Sequence, residues 1–232
     1  MEVEILEIGR LKSKAIVIDN FLPNALDAVD AAAAIADFPA EGTTAYPGRR
    51  HQIGPADKAS SCVMDILKMA SPLIQSQYDA GNFRVLEASF SLLTTLPEEM
   101  SPRQRIPHYD WAETNHLAIL LHLHHVPNTG TAFYRHIASD LEHVTKDAVP
   151  EYIKRVQVEL AETDLDPISS GGQSNIHFEK IAQVEAKFNR LVMYRGCLLH
   201  SGYVSSDFNF SGDPRTGRLT ANVFVQTAKG SS

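Results

Sequence analysis

The stretch Arg218-Leu-Thr-Ala-Asn-Val-Phe-Val225 decides the fold. Leu219, Ala221, Val223 and Val225 fall on one face of it, and Arg218, Thr220 and Asn222 on the other. Successive side chains of a strand point to opposite sides, so this period of two specifies a β-strand with one apolar face and one polar face. Further segments of strand texture precede it, at 11–22 (with the β-branched run Ile16-Val-Ile18), 83–95, 116–126, 131–136, 176–184, 190–194 and 197–200, and the last strand spans 218–226. Each is bounded by Pro, Gly, Asn or Asp, residues that stop a strand or open a turn; the clusters at 39–42, 46–48 and 169–172 read as loops.

Helical signals are fewer. Residues 25–38 are Ala-rich behind a capping residue, Asn24, and 58–78 repeats Val63, Ile66, Leu67 and Ala70 at helical spacing. The charged stretch 139–162 reads as two helices, because Pro150 removes a hydrogen bond from a helix interior. Helices ahead of a series of strands imply a mainly β fold, a barrel or jelly roll with helices packed on one side. The expected organisation is one domain over 1–232, with N-terminal helices at about 24–80 and a helical insertion at about 137–167.

Composition narrows the function classes. Hydrophobic residues make up 44% and charged residues 21%, as in ordinary globular chains. The net charge of −7 comes without a dense Lys/Arg cluster, which argues against a nucleic-acid partner. Two cysteines, Cys62 and Cys197, give neither a disulfide framework nor a Cys-rich zinc pattern and fit a reducing cytoplasm. Residues 1–10 lack the basic and apolar regions of a signal peptide, and no apolar run approaches the roughly 18 residues of a membrane span. The expectation is a cytoplasmic protein with no membrane partner.

Of ten histidines, seven (His108, His116, His122, His124, His125, His136 and His143) lie between positions 108 and 143. Packed or solvated histidines are commoner than ligands, so the crowding alone is a weak signal. The sharper one is His108-Tyr109-Asp110, whose first and third side chains project to the same side of an extended chain and can grip one ion. A second histidine from a distant strand completes a 2-His-1-carboxylate triad, the set that leaves open positions on Fe(II); His200, followed by Ser201-Gly202, is the best candidate. Alternation places His116, His122 and His124 on one face and His125 on the other, so they cannot all serve one ion. The polar face of the last strand is then either a solvated edge or, inside a barrel mouth, a carboxylate receptor, with the planar fork of Arg218 and the hydroxyl of Thr220.

With these residues in place the chain resembles the 2-oxoglutarate- and Fe(II)-dependent dioxygenases, the prolyl-hydroxylase-like branch in particular. The motifs that carry the resemblance are Ile16-Val-Ile-Asp-Asn-Phe-Leu-Pro23, Ile106-Pro-His-Tyr-Asp110, Gly130-Thr-Ala-Phe133, Asn189-Arg-Leu-Val-Met-Tyr194 leading to His200-Ser-Gly202, and Arg218-Leu-Thr220. The resemblance implies a double-stranded β-helix of cupin-like type. It implies Fe(II) held by His108, Asp110 and His200, and the far carboxylate of 2-oxoglutarate held by Arg218 with Thr220. The implied reaction hydroxylates a small-molecule or amino-acid-type substrate with O2, releasing succinate and CO2. Relative to the family, the interval from Asp110 to His200 and the loop from 201 to 217 are long, which makes Arg215 a competitor for the carboxylate. A non-catalytic β-barrel that binds a metal or organic acid, and a cupin-like metal enzyme that does not use 2-oxoglutarate, are the alternatives from other classes.

Overall fold

The computed structural model describes residues 2–35, 38, 46–167, 172–205 and 207–229. The loop signals at 39–42 and 169–171 lie outside the described residues. In chain order the elements are β1 (Val3–Ile8), β2 (Ser13–Ile18), α1 (Ala25–Ala33), β3 (Gly48–Gln52), α2 (Ser60–Tyr78), β4 (Ala80–Leu93), β5 (His116–His122), β6 (Gly130–His136), α3 (Val149–Glu162), β7 (Phe178–Glu185), β8 (Arg190–Arg195), β9 (His200–Tyr203) and β10 (Leu219–Lys229). They pair antiparallel into a seven-stranded sheet, β1-β2-β8-β5-β10-β4-β3, and a three-stranded sheet, β7-β6-β9.

Period-two alternation divides the strands of the large sheet between two cores. Ile16, Ile18, Ile119, Leu121, Leu219, Ala221 and Val223 pack against α1 and α2. The opposite face, with Ala15, Val17, Ala118, Val192, Tyr194 and Phe224, meets Phe133, Val184 and Leu198 of the smaller sheet and its flank. Phe133 and Tyr194 touch across that gap, edge to face, with ring centroids 5.1 Å apart. The other side of the small sheet, carrying Ala132, Tyr134 and Tyr203, is covered by Tyr152 and Val156 of α3. The layers therefore run helices, large sheet, small sheet, helix, which is the architecture of a double-stranded β-helix. A strand covered on both faces reads as a nearly continuous apolar run, as Leu117–Leu121 does.

Several expectations are corrected. Helices cover both outer faces rather than one side, because the small sheet has an apolar outer face of its own that α3 buries. The stretch 139–162 holds one helix, and Pro150 sits in its first turn, where its missing N–H has no partner to lose. Helix α1 ends at Ala33 rather than 38, and β9 begins at His200, where the sequence predicts a strand over 197–200. Strands β1 and β3 are additions that the sequence pattern does not announce.

The loop ahead of α3 fixes the start of β9. The buried Glu142 carboxylate accepts from the backbone N–H of Arg10 (3.0 Å) and Leu11 (3.2 Å) and from Arg135 Nε (3.1 Å), while its backbone carbonyl accepts from Leu199 N–H at 2.8 Å. Gly9, at φ +66°, makes room for it, since a Cβ there would overlap the carboxylate. Burial raises the Glu142 pKa, but the two backbone donors and Arg135 outweigh it and hold the carboxyl below its ordinary value. We expect Glu142→Gln to cost about 1–3 kcal/mol at pH 7, since an amide cannot accept from three donors. A lowered carboxylate pKa stabilises the fold above the unfolded value, near 4.5, and that contribution is lost as pH falls through the folded value. Urea denaturation at pH 7 and pH 4 should therefore show the wild-type advantage shrinking in acid; an unchanged gap would contradict this account.

Candidate active site

The site begins with backbone pairing. His108 and His200 exchange reciprocal N–H···O bonds of 2.9 Å, and Asp110 N–H donates to Gly196 O at 2.8 Å. The segment with the His-x-Asp pattern thus lies beside the start of β9, and the extended chain sends the side chains of His108 and Asp110 to the same side as His200. One ligand atom from each of His108, Asp110 and His200 lies within 4.8 Å of the others, the one such group among the described residues. His108 Nε2 is 3.8 Å from Asp110 Oδ1, and His200 Nε2 is 3.6 Å from Asp110 Oδ2.

The donor set fits a divalent metal. His200 Nδ1 donates to Leu198 O at 2.8 Å, so in the neutral ring it is the Nε2 lone pair that faces Asp110. His108 lines an open pocket, to which about half its side chain is accessible. The surrounding fold, then the charges of His200 and Arg50, hold its imidazole well below the ordinary value. Burial also raises the Asp110 carboxyl, against the attraction of His200 and Arg50. Asp110 Oδ2 is buried with no hydrogen-bond partner in the protein. Two imidazoles and an unpartnered carboxylate oxygen converging on one point are what a 2-His-1-carboxylate centre needs.

The other sequence candidates stand outside the triad. Arg218 is 4% exposed and Thr220 2%, both facing the space between the sheets; Arg218 Nη2 donates to Gly130 O at 3.0 Å and its buried Nε has no partner in the protein. The phenol of Tyr46 stands near the guanidinium, its pKa raised by burial against the charges of Arg218 and Arg50. Gly202 leaves room for Arg218, since a Cβ there would stand 3.1 Å from Nη2. Arg215 is at the surface, paired with Asp30. His125 stacks on Phe188, and His116 packs edge-on against Trp111. His122 and His124 are buried with ring centroids 5.5 Å apart.

A cavity of about 480 Å³ includes His108, Asp110 and Arg218 in its lining, together with Arg50 and Glu87, which the sequence pattern does not single out. Register explains their convergence: Arg50 opposes Ser91, Ser91 opposes Thr220, and Thr220 opposes His122, a polar row crossing β3, β4, β10 and β5. Glu87, Ser89 and Ser91 alternate with Ala88, Phe90 and Leu92, the same pattern as in β10, and that alternation is the available signal for Glu87. Arg50 has no such signal, because Gly48–Gln52 has no apolar alternation.

The chain belongs to the family of unknown function DUF6445, whose model matches residues 1–225. No curated protein matches the sequence. Among solved structures, the non-heme alpha ketoglutarate dependent epimerase SnoN from nogalamycin biosynthesis is 11% identical, with a TM-score of 0.57 over 93% of this chain and 78% of that one. HygX from Streptomyces hygroscopicus, with nickel and 2-oxoglutarate bound, is 10% identical, with a TM-score of 0.57 over 95% and 86%. The viral collagen prolyl hydroxylase vCPH from Paramecium Bursaria Chlorella virus-1, a 2OG complex, is 10% identical, with a TM-score of 0.50 over 93% and 96%. At these identities the likeness is one of fold, the double-stranded β-helix of 2-oxoglutarate-dependent oxygenases. No described helix is long and apolar enough to cross a membrane.

His124 yields a prediction of its own. Its Nδ1 accepts from Val126 N–H at 3.3 Å, so the neutral ring carries its proton on Nε2, and burial followed by the charge of Arg218 lowers its pKa to about 3. The unfolded chain takes up this proton near 6.5, so between 6.5 and 3 acidification favours unfolding, by about 1.4 kcal/mol per pH unit. Nitrogen NMR should find the Nε2–H tautomer unchanged from pH 8 to pH 5. A ring that titrates inside that range would contradict the burial argument.

Proposed function

We propose that the chain is a 2-oxoglutarate- and Fe(II)-dependent oxygenase, organised as one catalytic domain, that hydroxylates a small-molecule substrate. In this reading His108, Asp110 and His200 hold the metal, and Arg218, helped by Thr220, holds the far carboxylate of 2-oxoglutarate. One observation carries it: a convergent two-histidine, one-carboxylate set and a buried arginine with an unpartnered Nε line or adjoin the same cavity. Fe(II) with 2-oxoglutarate, when bound, supplies an O2-dependent oxidation that releases succinate and CO2.

The residues of the chain do the positioning. Leu198 O fixes the ring of His200, and the backbone exchange with His200 fixes His108. Arg218 is held by Gly130 O, so its planar fork needs little reordering to take a carboxylate. Leu93, Ile106, Pro107 and Trp111, with Val156 and Leu160 of α3, give the cavity an apolar wall that excludes water from the reacting centre. The insertion is on this reading part of the substrate site.

Three outcomes are expected. The purified chain should bind Fe(II) and 2-oxoglutarate and slowly turn over the latter without a prime substrate, read as succinate formed under O2; binding without turnover would favour the binding module, and metal binding without 2-oxoglutarate binding the cupin-like enzyme. Arg218→Met should weaken anaerobic 2-oxoglutarate binding at saturating Fe(II) by about 2–5 kcal/mol, roughly one and a half to over three decades, and spare iron. Arg215→Met, at an exposed ion pair, should change it by about 0–1 kcal/mol. Replacing His124 or His125 should leave iron stoichiometry intact, whereas His108→Ala or His200→Ala should lower it; loss of metal in the first pair would mean that other histidines are the ligands.

A further inference from the structure

The cavity contains an ion pair that the proposed metal and cosubstrate sites do not use. Arg50 Nη1 lies 3.4 Å from Glu87 Oε1, and both side chains are partly open to the cavity, 23% and 27% exposed. Arg50 is held in place from two more sides: Nε donates to Ser91 Oγ at 3.1 Å, and the guanidinium lies over the Tyr46 ring, 4.9 Å from its centroid. An ion pair this accessible contributes little to stability, typically about 0–1 kcal/mol. The same cavity is lined by Ile153, Val156 and Leu160, three and four residues apart on one face of α3, with Gln157 beside them and Arg103 and Gln104 also in the lining.

We propose that Arg50 and Glu87 are the polar anchor for the prime substrate, and that the substrate is a free α-amino acid with an apolar side chain. The inference rests on the oxygenase reading and names the substrate class of that same site. A fixed positive and negative group side by side complement a ligand with a carboxylate and an ammonium on adjacent atoms. The carboxylate takes the guanidinium, whose bonds to Ser91 and Glu87 engage Nε and Nη1 and leave further donors of the five for a ligand, and the ammonium takes the Glu87 carboxylate. The substrate's apolar side chain then lies along Ile153, Val156 and Leu160. A simple acid would leave Glu87 facing a second negative charge, and a simple amine would leave Arg50 facing a second positive one. A residue inside a peptide carries neither charge. The size agrees, because a cavity of about 480 Å³ that must also take the metal and 2-oxoglutarate leaves room for one residue-sized molecule.

Trp111, the only tryptophan, lines the cavity, so its fluorescence reads binding directly. The test titrates the full chain with L-leucine and L-phenylalanine, then with leucinamide, N-acetyl-leucine and 4-methylpentanoate, anaerobically, with and without Fe(II) and 2-oxoglutarate. The expected result is saturable binding of at least one free amino acid, weakened at least about tenfold by capping or removing either charge, as for loss of a charge-assisted hydrogen bond. Glu87→Gln should bring leucine and 4-methylpentanoate to within about threefold of each other, since the ammonium then meets only a neutral acceptor and must still be desolvated. The ligand series on the wild-type chain stands even if that variant fails to fold. Capped and free forms that bind equally, or no amino acid binding in a chain that binds 2-oxoglutarate, would overturn the substrate assignment and leave the oxygenase reading intact. Amino-acid binding with no 2-oxoglutarate binding or turnover would uphold the anchor and remove the oxygenase reading instead.

Discussion

The reciprocal hydrogen bonds between His108 and His200 are the constraint on which the site depends. Each contributes about 0.5–1.5 kcal/mol net, a modest amount beside the burial of two cores, but together they set the relative position of two side chains from distant parts of the chain. The pairing is held from both sides. Asp110 and Trp111 donate to Gly196 O, and across the same strap Val144 N–H donates to Cys197 O and Leu199 N–H to Glu142 O. The segment 196–200 is therefore clamped between the His-x-Asp segment and the start of the insertion. On the proposed reading these residues are metal ligands, and since a metal centre tolerates only small errors in ligand placement, backbone clamps of this kind would matter more to the site than their stabilisation of the fold.

Much of the large sheet was legible in the sequence because alternation survives wherever one face is apolar and the other polar. β10 is the clearest case, with its apolar residues on the helices and Arg218, Thr220 and Asn222 turned inward. The His-x-Asp pattern was legible for the same reason, and His200 stood out as a histidine at the end of an apolar run. The edge strands were not. β1 is mostly exposed, with its Val3 and Ile5 at the surface and only Ile8 fully buried, so it shows no clear core face, and Gly48–Gln52 takes its strand geometry from pairing with β4 rather than from propensity. The insertion misled in a different way: Pro150 breaks a helix interior but suits a first turn, and only the position of the helix start separates the two.

Arg50 shows the limit of a single-strand reading. Its role comes from cross-strand register, which places it opposite Ser91 and so in line with Thr220 and His122 on two further strands. Register depends on pairings between segments far apart in sequence, and one strand's pattern does not contain it.

The interior between the sheets is more polar than a core built for stability would be. Arg218 Nε, both ring nitrogens of His122, His124 Nε2 and the Tyr194 hydroxyl are buried without a hydrogen-bond partner in the protein. A buried polar atom without a partner costs about 1–3 kcal/mol, so several together are a substantial load on the fold. Apolar layers on either side offset it: α1 and α2 seal the large sheet, and α3 seals the small one. Burial also sets the charge of this space. It holds His122 and His124 neutral and raises Tyr194 well above its ordinary value, leaving the Arg218 guanidinium as the fixed charge among them. A carboxylate entering this space meets one cation and a set of neutral donors whose desolvation was completed on folding. The free energy that the fold gives up by burying these groups is thereby available to a ligand that satisfies them.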